Sequence, residues 1–256
     1  MTTKPPSVPE SGVKTPEPET HDPQSAFYDR TYSTQRSYKT RLATVKKLLP
    51  STDRWELAAN LLGTGARILD VGCGSGQLLK LVQPRYDELH GVDIADVNIR
   101  RARELLGESP KVIKLHVANL DTGALPYPDA YFDAVSLISV LQFVFDIFHA
   151  LKEVHRVLKP GGCFVMETNN IASFGNRLRI LLGRQPRTSY FDGWDGNVLH
   201  YFVVRSTRRL LQEEGFGNLK ICSAGTLYPV RSLWPSLLAQ NIMVQARRTQ
   251  NKPRDL

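Results

Sequence analysis

The stretch that decides the fold reads Ile68-Leu69-Asp70-Val71-Gly72-Cys73-Gly74-Ser75-Gly76-Gln77-Leu78-Leu79. The apolar run at residues 68–71 predicts a short buried strand, and the run that starts at Gln77 predicts a helix. Alternate glycines between them let the backbone approach a ligand closely, and the first turn of the helix offers unpaired N–H groups at a positive dipole end. The stretch therefore predicts a site for a ligand that carries a polar or anionic group.

The glycine spacing distinguishes between kinds of ligand. Gly72, Gly74 and Gly76 form G-x-G-x-G, whereas a dinucleotide fingerprint needs G-x-G-x-x-G and a Walker A loop needs G-K-[ST]. Asp70 precedes the turn, where an acid disfavours a pyrophosphate and favours an amino group. Asp93 ends the next predicted strand, where a carboxylate binds ribose hydroxyls. The spacing argues against a nicotinamide dehydrogenase and for a ligand with both a ribose and an amino group.

Together with two later segments, this turn resembles the class I S-adenosylmethionine (SAM)-dependent methyltransferase family. Residues 125–135 resemble the segment that leads into the family's fourth strand. Residues 151–162, which end in Pro160-Gly161-Gly162, resemble the helix and turn before its fifth strand. The resemblance implies SAM as the cofactor, because SAM carries a ribose at one end and an amino acid at the other. It implies no metal.

Strands that alternate with helices predict an α/β fold. The resemblance implies a Rossmann-like three-layer sandwich with a mostly parallel seven-stranded sheet, an antiparallel last strand and N-terminal lid helices. The predicted strands cover residues 67–71, 88–92, 111–117, 132–138, 161–168, 217–223 and 240–247. The predicted helices after the glycine turn cover residues 76–82, 95–107, 145–158 and 206–216, the last capped by Ser206.

Composition divides the chain into a domain with two polar tails. Residues 1–25 are rich in proline and lack apolar periodicity, which predicts a disordered tail. Residues 26–248 are predicted to form one methyltransferase domain, and residues 249–256 a polar tail. Within the domain, residues 170–200 form an insertion, which in relatives often covers the acceptor pocket.

Two helices are predicted before the glycine turn, at residues 34–49 and 52–62. Ser51 or Thr52 would cap the second helix, and Gly63 would end it. The resemblance implies that these helices lie across the cofactor as a lid. Tyr28 or Tyr32 would then contact the cofactor or acceptor, and core packing is the alternative for either tyrosine.

The cofactor-binding residues are predicted at the carboxyl ends of the strands. They are Asp70, Gly72, Cys73, Gly74, Gly76, Asp93, Ile94, Asn119, Leu120 and Ser139. Cys73 is expected to contribute its backbone rather than its thiol, and Ile94 to pack on the adenine. The family has an acid that accepts from the adenine amino group. Here Asn119 would accept through its carbonyl oxygen, with Asp121 as the alternative.

His200 is the candidate general base, and a structural histidine is the alternative. Many relatives carry a histidine where Phe143 stands, so a mechanism that needs an imidazole there is not supported. Tyr190, Asp192 and Tyr201 are secondary candidates. The preferred acceptor is an oxygen atom of a small molecule, glycan or lipid-linked compound. Carbon methylation of a quinone-like ring, and SAM binding without turnover, are the alternatives.

The net charge of +8 raises the question of an anionic partner. Four arginines, Arg177, Arg179, Arg184 and Arg187, lie within or just after a basic amphipathic segment at residues 176–184. They predict either a solvated basic face or a contact with an anionic acceptor or a membrane surface. No run of basic residues with interleaved aromatics indicates a nucleic-acid groove.

Cysteine usage and hydropathy favour a cytoplasmic protein. Cys73, Cys163 and Cys222 are far apart and have no metal-binding spacing, which indicates neither a metal site nor a disulfide framework. The first residues lack the apolar core of a signal peptide. The most apolar long run, residues 134–151, divides into a strand, a loop and a helix, so no transmembrane segment is predicted.

Overall fold

The structure is a computed structural model that describes residues 22–34, 51–188 and 198–250. Its strands are β1 (Ser51–Thr52), β2 (Gly65–Val71), β3 (Tyr86–Asp93), β4 (Val112–Val117), β5 (Phe132–Ile138), β6 (Leu158–Asn169), β7 (Phe216–Cys222), β8 (Gly225–Thr226) and β9 (Asn241–Arg248). Its helices are α1 (Pro23–Thr34), α2 (Arg54–Leu62), α3 (Gln77–Val82), α4 (Asp96–Leu106), α5 (Ile147–Val157), α6 (Phe174–Leu181), α7 (Val204–Glu213), α8 (Tyr228–Leu233) and α9 (Pro235–Leu238).

The main sheet has seven strands in the order β4-β3-β2-β5-β6-β9-β7. Neighbouring strands pair in parallel except at β9, which pairs antiparallel with both β6 and β7. This arrangement confirms the predicted mostly parallel sheet and its antiparallel last strand. The strand order reverses between β2 and β5, and their carboxyl ends form the crevice where ligands bind in open α/β sheets.

Apolar side chains cover both faces of the sheet. Adjacent residues of a strand point to opposite faces, so Leu69 packs in one core with Val135, while Ile68 packs in a second core with Ala134. Helices α5 and α7 contribute to the first core, and α2, α3 and α4 to the second. The sheet is therefore the middle of three layers, as the resemblance implied, and its central strands are mostly apolar because both of their faces are covered.

The start of α2 corrects one prediction. Ser51 and Thr52 do not cap the helix, because they are extended and pair with Gly225 and Thr226 in a small antiparallel sheet. Asp53 is the cap instead: its carboxylate accepts from the Trp55 N–H at 2.9 Å, and the Glu56 side chain reaches back to the Asp53 N–H at 3.4 Å. The predicted end at Gly63 is confirmed, where φ is +75°.

Two helix starts differ from the predictions, and two short helices were not predicted. Helix α7 begins at Val204, and Ser206 lies inside its first turn with its hydroxyl donating to the Val203 carbonyl at 3.1 Å. Helix α1 starts at Pro23, within the residues 1–25 that are predicted as a disordered tail. The short helices α8 and α9 were not predicted. Residues 35–49 of the predicted lid helix lie outside the described residues.

Some family-like residues have structural roles. The Arg156 guanidinium donates to Glu153 at 2.8 Å, as the spacing of three residues predicted, and it also reaches the Tyr127 and Leu125 carbonyls. Asp133 accepts from the Ala66 and Arg67 N–H groups. Across the described ranges, no helix combines the length and apolarity that crossing a bilayer requires.

Candidate functional site

The glycine turn joins β2 to α3 with all three glycines in the left-handed region. Their φ angles are +70° at Gly72, +53° at Gly74 and +82° at Gly76. A Cβ on Gly72 would lie 2.1 Å from Val140 Cγ2, whereas a Cβ on Gly74 would meet nothing within 4 Å. Gly72 is therefore required for packing, and Gly74 leaves open space next to its backbone, as a ligand site needs.

Hydrogen bonds from the turn fix it to the end of β3. The Gly72 and Cys73 N–H groups both donate to the Val92 carbonyl, at 2.7 and 2.9 Å. The Gly74 N–H donates to Asp93 Oδ2 at 2.8 Å. The turn and the second strand tip thus form one unit. The Cys73 thiol is buried in the second core and donates to the Gly74 carbonyl at 3.7 Å, and burial raises its pKa.

Asp70 is a buried carboxylate beside the turn. Its Oδ1 accepts from the Ser136 hydroxyl at 2.7 Å, whereas its Oδ2 has no hydrogen-bond partner among the described residues. The pKa of Asp70 is raised to about 7, mainly by burial and in smaller part by the charge of Asp93, while the hydrogen bond from Ser136 opposes the shift. A buried carboxylate oxygen without a donor is costly, so this atom calls for a donor or cation from a ligand or water.

Asp93 is also buried, but most of its acceptor capacity is occupied. Oδ1 accepts from the Ala95 N–H at 2.9 Å and from Asn98 Nδ2 at 3.1 Å. With Gly74 bonded to Oδ2, one lone-pair direction of Oδ2 is left for a further donor. Burial raises the pKa of Asp93, and these three hydrogen bonds oppose that effect.

Helix α1 closes this edge of the sheet from outside. Gln24 Nε2 donates to Asp121 Oδ2 at 3.1 Å, and the Ser25 hydroxyl donates to the Ile94 carbonyl at 2.8 Å. Asn119 Nδ2 donates to Asp22 Oδ2 at 2.5 Å. The Asn119 and Asp121 side chains, which are predicted at the adenine, therefore contact Gln24 of α1 and Asp22 just before it.

The two tyrosines of α1 lie near the same carboxylates. Their rings stack with centroids 6.0 Å apart. Burial raises the pKa of Tyr28, with smaller contributions from the charges of Asp121 and Asp93. Burial also raises the pKa of Tyr32, again with a contribution from Asp93. Both phenols therefore remain neutral at the edge where the cofactor is predicted.

A second polar cluster lies where β5 and β6 end. Ser139 has a φ of +59°, which is strained for a residue with a side chain, and its hydroxyl donates to Glu167 Oε2. Glu167 is fully buried and also accepts from Asn241 Nδ2. Arg54 Nη1 donates to the Ser139 hydroxyl at 3.3 Å. We had predicted Ser139 but missed Glu167, whose signal is an acid within the apolar strand at residues 163–168.

His200 lies next to the loop that follows β5, where its N–H group contacts the Gln142 carbonyl at 3.2 Å. It contributes to a small cavity whose lining also includes Gln142, Asn169, Ile171, Thr188 and Tyr201. The ring Nε2 is 3.1 Å from the Phe145 carbonyl, which can only accept, so in this hydrogen bond Nε2 carries the proton. The lone pair of a neutral His200 is then on Nδ1.

The structure brings only some of the predicted site residues together. The structure brings Asp70, Gly74 and Asp93 together around the turn. Leu120 is buried in a core cluster. Tyr190 and Asp192 lie outside the described residues, and Tyr201 is exposed in the wall of the His200 cavity.

A model of a methyltransferase domain family matches residues 69–166, which include the turn, both carboxylates and Ser139. These residues form the core of a methyltransferase domain. The resemblance drawn from the motifs is thereby confirmed, and SAM is the cofactor of that family.

Relatives match this domain over part of their length. The ubiquinone/menaquinone biosynthesis C-methyltransferase UbiE of Vibrio cholerae is 38% identical over 101 residues, which are 38% of this chain and 39% of the relative. The 27-O-demethylrifamycin SV methyltransferase of Amycolatopsis mediterranei is 34% identical over 113 residues, 43% of this chain and 41% of the relative. The chain thus spans about two fifths of these relatives.

Solved structures agree on the fold. A SAM-dependent methyltransferase from Methanosarcina mazei superposes with a TM-score of 0.55 at 23% identity, covering 79% of this chain and all of that one (100%). The similarity extends well beyond residues 69–166, so the fold is shared even where the sequence match ends.

The residues around the turn fit SAM. Asp70 Oδ2 has no donor in the part of the chain that the structure describes, and the ammonium group of SAM would supply one. The one remaining acceptor direction of Asp93 Oδ2 suits a ribose hydroxyl, and the open position at Gly74 allows the backbone approach. Among the described residues no cluster of acidic, histidine or cysteine side chains has the composition of a metal site.

Proposed function

We propose that this chain is a methyltransferase that transfers a methyl group from SAM to an oxygen atom of a small-molecule, glycan or lipid-linked acceptor. The observation that carries the proposal is the pair of buried carboxylates, Asp70 and Asp93, on either side of the open Gly74 position. The bound cofactor supplies a methyl group already activated by its sulfonium, so the protein mainly has to hold donor and acceptor in line.

Three charged side chains near the turn would hold the cofactor. Asp93 would accept from a ribose hydroxyl, and Asp70 would pair through Oδ2 with the ammonium group. Arg54, which donates to Ser139 at 3.3 Å, brings a positive charge to the tip of β5, where it would meet the cofactor carboxylate. Asn119 and Asp121 would reach the adenine only after exchanging their bonds to Asp22 and Gln24.

His200 supports an oxygen acceptor. An acceptor hydroxyl has to lose its proton during transfer, and a neutral imidazole near neutral pH is suited to receive it. The Phe145 carbonyl holds the proton on Nε2, which leaves Nδ1 as the basic atom. The proposed acceptor site is the cavity that His200 lines together with Gln142, Asn169 and Tyr201.

Gln142 adds a recognition group to that cavity. Its side chain is buried, and Oε1 has no hydrogen-bond donor among the described residues. Its own carbonyl accepts from the Leu199 and His200 N–H groups, which fixes the loop against His200. An acceptor with a hydroxyl or N–H group would satisfy Oε1 while its reacting oxygen faces the base.

A carbon acceptor on a quinone-like ring is the second candidate. The observation that favours it is the 38% identity, over 101 residues, to a ubiquinone/menaquinone C-methyltransferase. We further propose a cytoplasmic location, which the buried, unbridged Cys73, Cys163 and Cys222 support.

Calorimetry with SAM, followed by release of S-adenosylhomocysteine with an acceptor panel, tests the proposal. One arm of the panel contains phenols, sugars and lipid-linked hydroxyl compounds, and the other contains quinols with a free ring position. We expect heat with SAM and turnover in the hydroxyl arm, with an O-methyl signal in the NMR spectrum of the product.

Each other result contradicts a defined part of the proposal. A C-methyl product from the quinol arm would transfer the assignment to carbon methylation. Binding of SAM without release in either arm would make the chain a non-catalytic SAM-binding protein. No heat with SAM would overturn the cofactor site itself.

A further inference from the structure

The outer face of α6 is apolar and exposed. Phe174, Leu178 and Leu181 follow the i, i+4, i+7 spacing of one helix face and are 61%, 45% and 82% exposed. The inner face is anchored by Asn176, which is buried and donates to the carbonyls of Asn170 and Arg187, each at 3.1 Å. The helix is therefore held with its apolar face outward.

A second exposed apolar corner lies where α8 meets α9. Leu233 is 85% exposed and Trp234 is 60% exposed. Asn170 connects this corner to α6: its side chain donates to the carbonyls of Pro235 and Ala239, at 3.2 and 2.9 Å, while its own carbonyl accepts from Asn176. The two apolar surfaces thus flank one buried anchor at the same edge of the sheet.

The charge around both surfaces is positive. Arginines are the only charged residues between Glu167 and Asp192, and no acidic residue occurs between Glu214 and Asp255. We call this surface the apolar–basic edge, and it comprises Phe174, Leu178, Leu181, Leu182, Leu233 and Trp234 with Arg177, Arg184, Arg187 and Arg231.

We propose that the apolar–basic edge docks on the surface of an anionic lipid bilayer. A short amphipathic helix with leucine and phenylalanine on one face and arginine at its borders suits the interface plane, and tryptophan is favoured at the same depth. Arginines near the surface attract the anionic headgroups electrostatically. A symmetric dimer through the same edge would instead bring two sets of arginines together.

The position of the edge connects docking to the acceptor. Asn169 and Ile171, on either side of the anchor Asn170, line the cavity that contains His200. Docking would therefore place that cavity next to the lipid surface, from which an amphiphilic acceptor enters. This last step depends on the proposed function, whereas docking itself does not.

Vesicle sedimentation tests the docking. The full chain is mixed with vesicles of phosphatidylglycerol and phosphatidylcholine, or with phosphatidylcholine alone, at low and high salt. We expect at least tenfold more protein in the pellet with anionic vesicles, and a loss of that excess at high salt.

A double variant and a matched control locate the contact. The pair Leu181→Asp with Trp234→Asp should reduce anionic vesicle binding at least tenfold. Leu105→Asp, at a 41% exposed leucine of α4, should bind like the parent protein. Calorimetry with SAM checks that the variants are folded.

Four results would overturn the proposal. These are a parent protein that stays in the supernatant with anionic vesicles, a double variant that binds as well as the parent, equal binding to neutral vesicles, and a dimer in solution that only the double variant dissociates. If the parent protein bound anionic vesicles but gave no heat with SAM, docking would stand and only the proposed function would be refuted.

Discussion

The turn side and the insertion side of the domain are built in different ways. On the turn side, Asp70 and Asp93 end neighbouring parallel strands and are buried, and hydrogen bonds fix the backbone between them. On the insertion side, α6 and the segment around Tyr201 expose apolar and basic side chains. The match to the family model covers the first side and ends at residue 166, before the second begins.

The difference distinguishes the part of the domain that this chain shares with its relatives from the part in which it differs. The proposed cofactor site depends on strand tips and a turn, which the sequence motifs largely encode. The proposed acceptor site depends on residues that join only in three dimensions, such as Gln142 and His200. Similarity to relatives therefore identifies the donor of the methyl group much more firmly than its acceptor.

Gly74→Val should give the largest effect and would show that the turn side depends on open space. The variant should lose detectable SAM binding, a decrease of about 1,000-fold or more, because the added side chain fills the position where no atom lies within 4 Å. Gly107→Val is the matched control, with φ at +63° and the same empty surroundings at the end of α4. Equal SAM affinity in both variants would contradict the cofactor site.

His200→Ala tests the insertion side. Turnover should fall by about 100-fold or more with SAM affinity unchanged, because a general base contributes about 10²–10⁴-fold. His149→Ala is a suitable control, since its ring Nε2 also lies near a backbone carbonyl, that of Gly123, at 3.3 Å. Turnover equal to the parent protein would make His200 structural, and weaker SAM binding would show that the two sides are not separable.

Asp93→Ala should weaken SAM binding by about 1–3 kcal/mol, or about 5- to 150-fold, from lost charge-assisted hydrogen bonds. It should also lower the free energy of unfolding, because the N–H groups of Gly74 and Ala95 lose their acceptor. Asp96→Ala, at an exposed ion pair with Arg100, is the control by calorimetry and thermal melting. Unchanged affinity would remove Asp93 from the site.

Asp70→Asn should produce the smallest and most specific effect, on pH dependence. Burial raises the pKa of Asp70 to about 7, so only the ionised form above that pH pairs with an ammonium group. SAM affinity of the parent protein should rise with pH up to about 7, by at most about tenfold per unit for one linked proton. Calorimetry from pH 5.5 to 8 should give a flatter profile for the variant; an unchanged slope would assign it to Asp93.

Asp70→Asn should also change the free energy of unfolding, which it raises at high pH although it weakens the binding of SAM. A raised pKa favours the protonated form in the folded state, so the contribution of Asp70 to the free energy of unfolding is lost as pH rises toward about 7. Asp70→Asn should therefore melt at a higher temperature than the parent protein at pH 8. A lower melting temperature at that pH would mean that the carboxylate is not costly to bury.

Local patterns predicted most of the fold because each element depends on its own residues. The run at residues 132–138 is mostly apolar and is recovered as β5, and the glycines mark the turn. The cap of α2 was misassigned because pairing with β8, far along the chain, draws Ser51 and Thr52 into a strand. Such distant pairing leaves no local signal.

The same distinction applies to the site. Asp70, Gly74 and Asp93 could be placed from the motif, since strand ends follow directly from the apolar runs. The bonds of Asp22 and Gln24 to Asn119 and Asp121 could not, because they span more than 90 residues of sequence. Burial of Glu167 likewise depends on Ser139 and Asn241, from two other parts of the chain.

The hydrogen bonds that join α1 to the loops after β3 and β4 have a kinetic consequence. Gln24 and Ser25 hold the helix across the edge where adenosine is expected, so with the proposed cofactor bound there, the spent cofactor would leave only after these contacts open. Its residence time would then depend on two polar side chains outside the proposed transfer site. Substitutions that weaken these contacts should lower cofactor affinity and speed its release. Turnover could then be changed through α1 without any change to the residues at the transfer site.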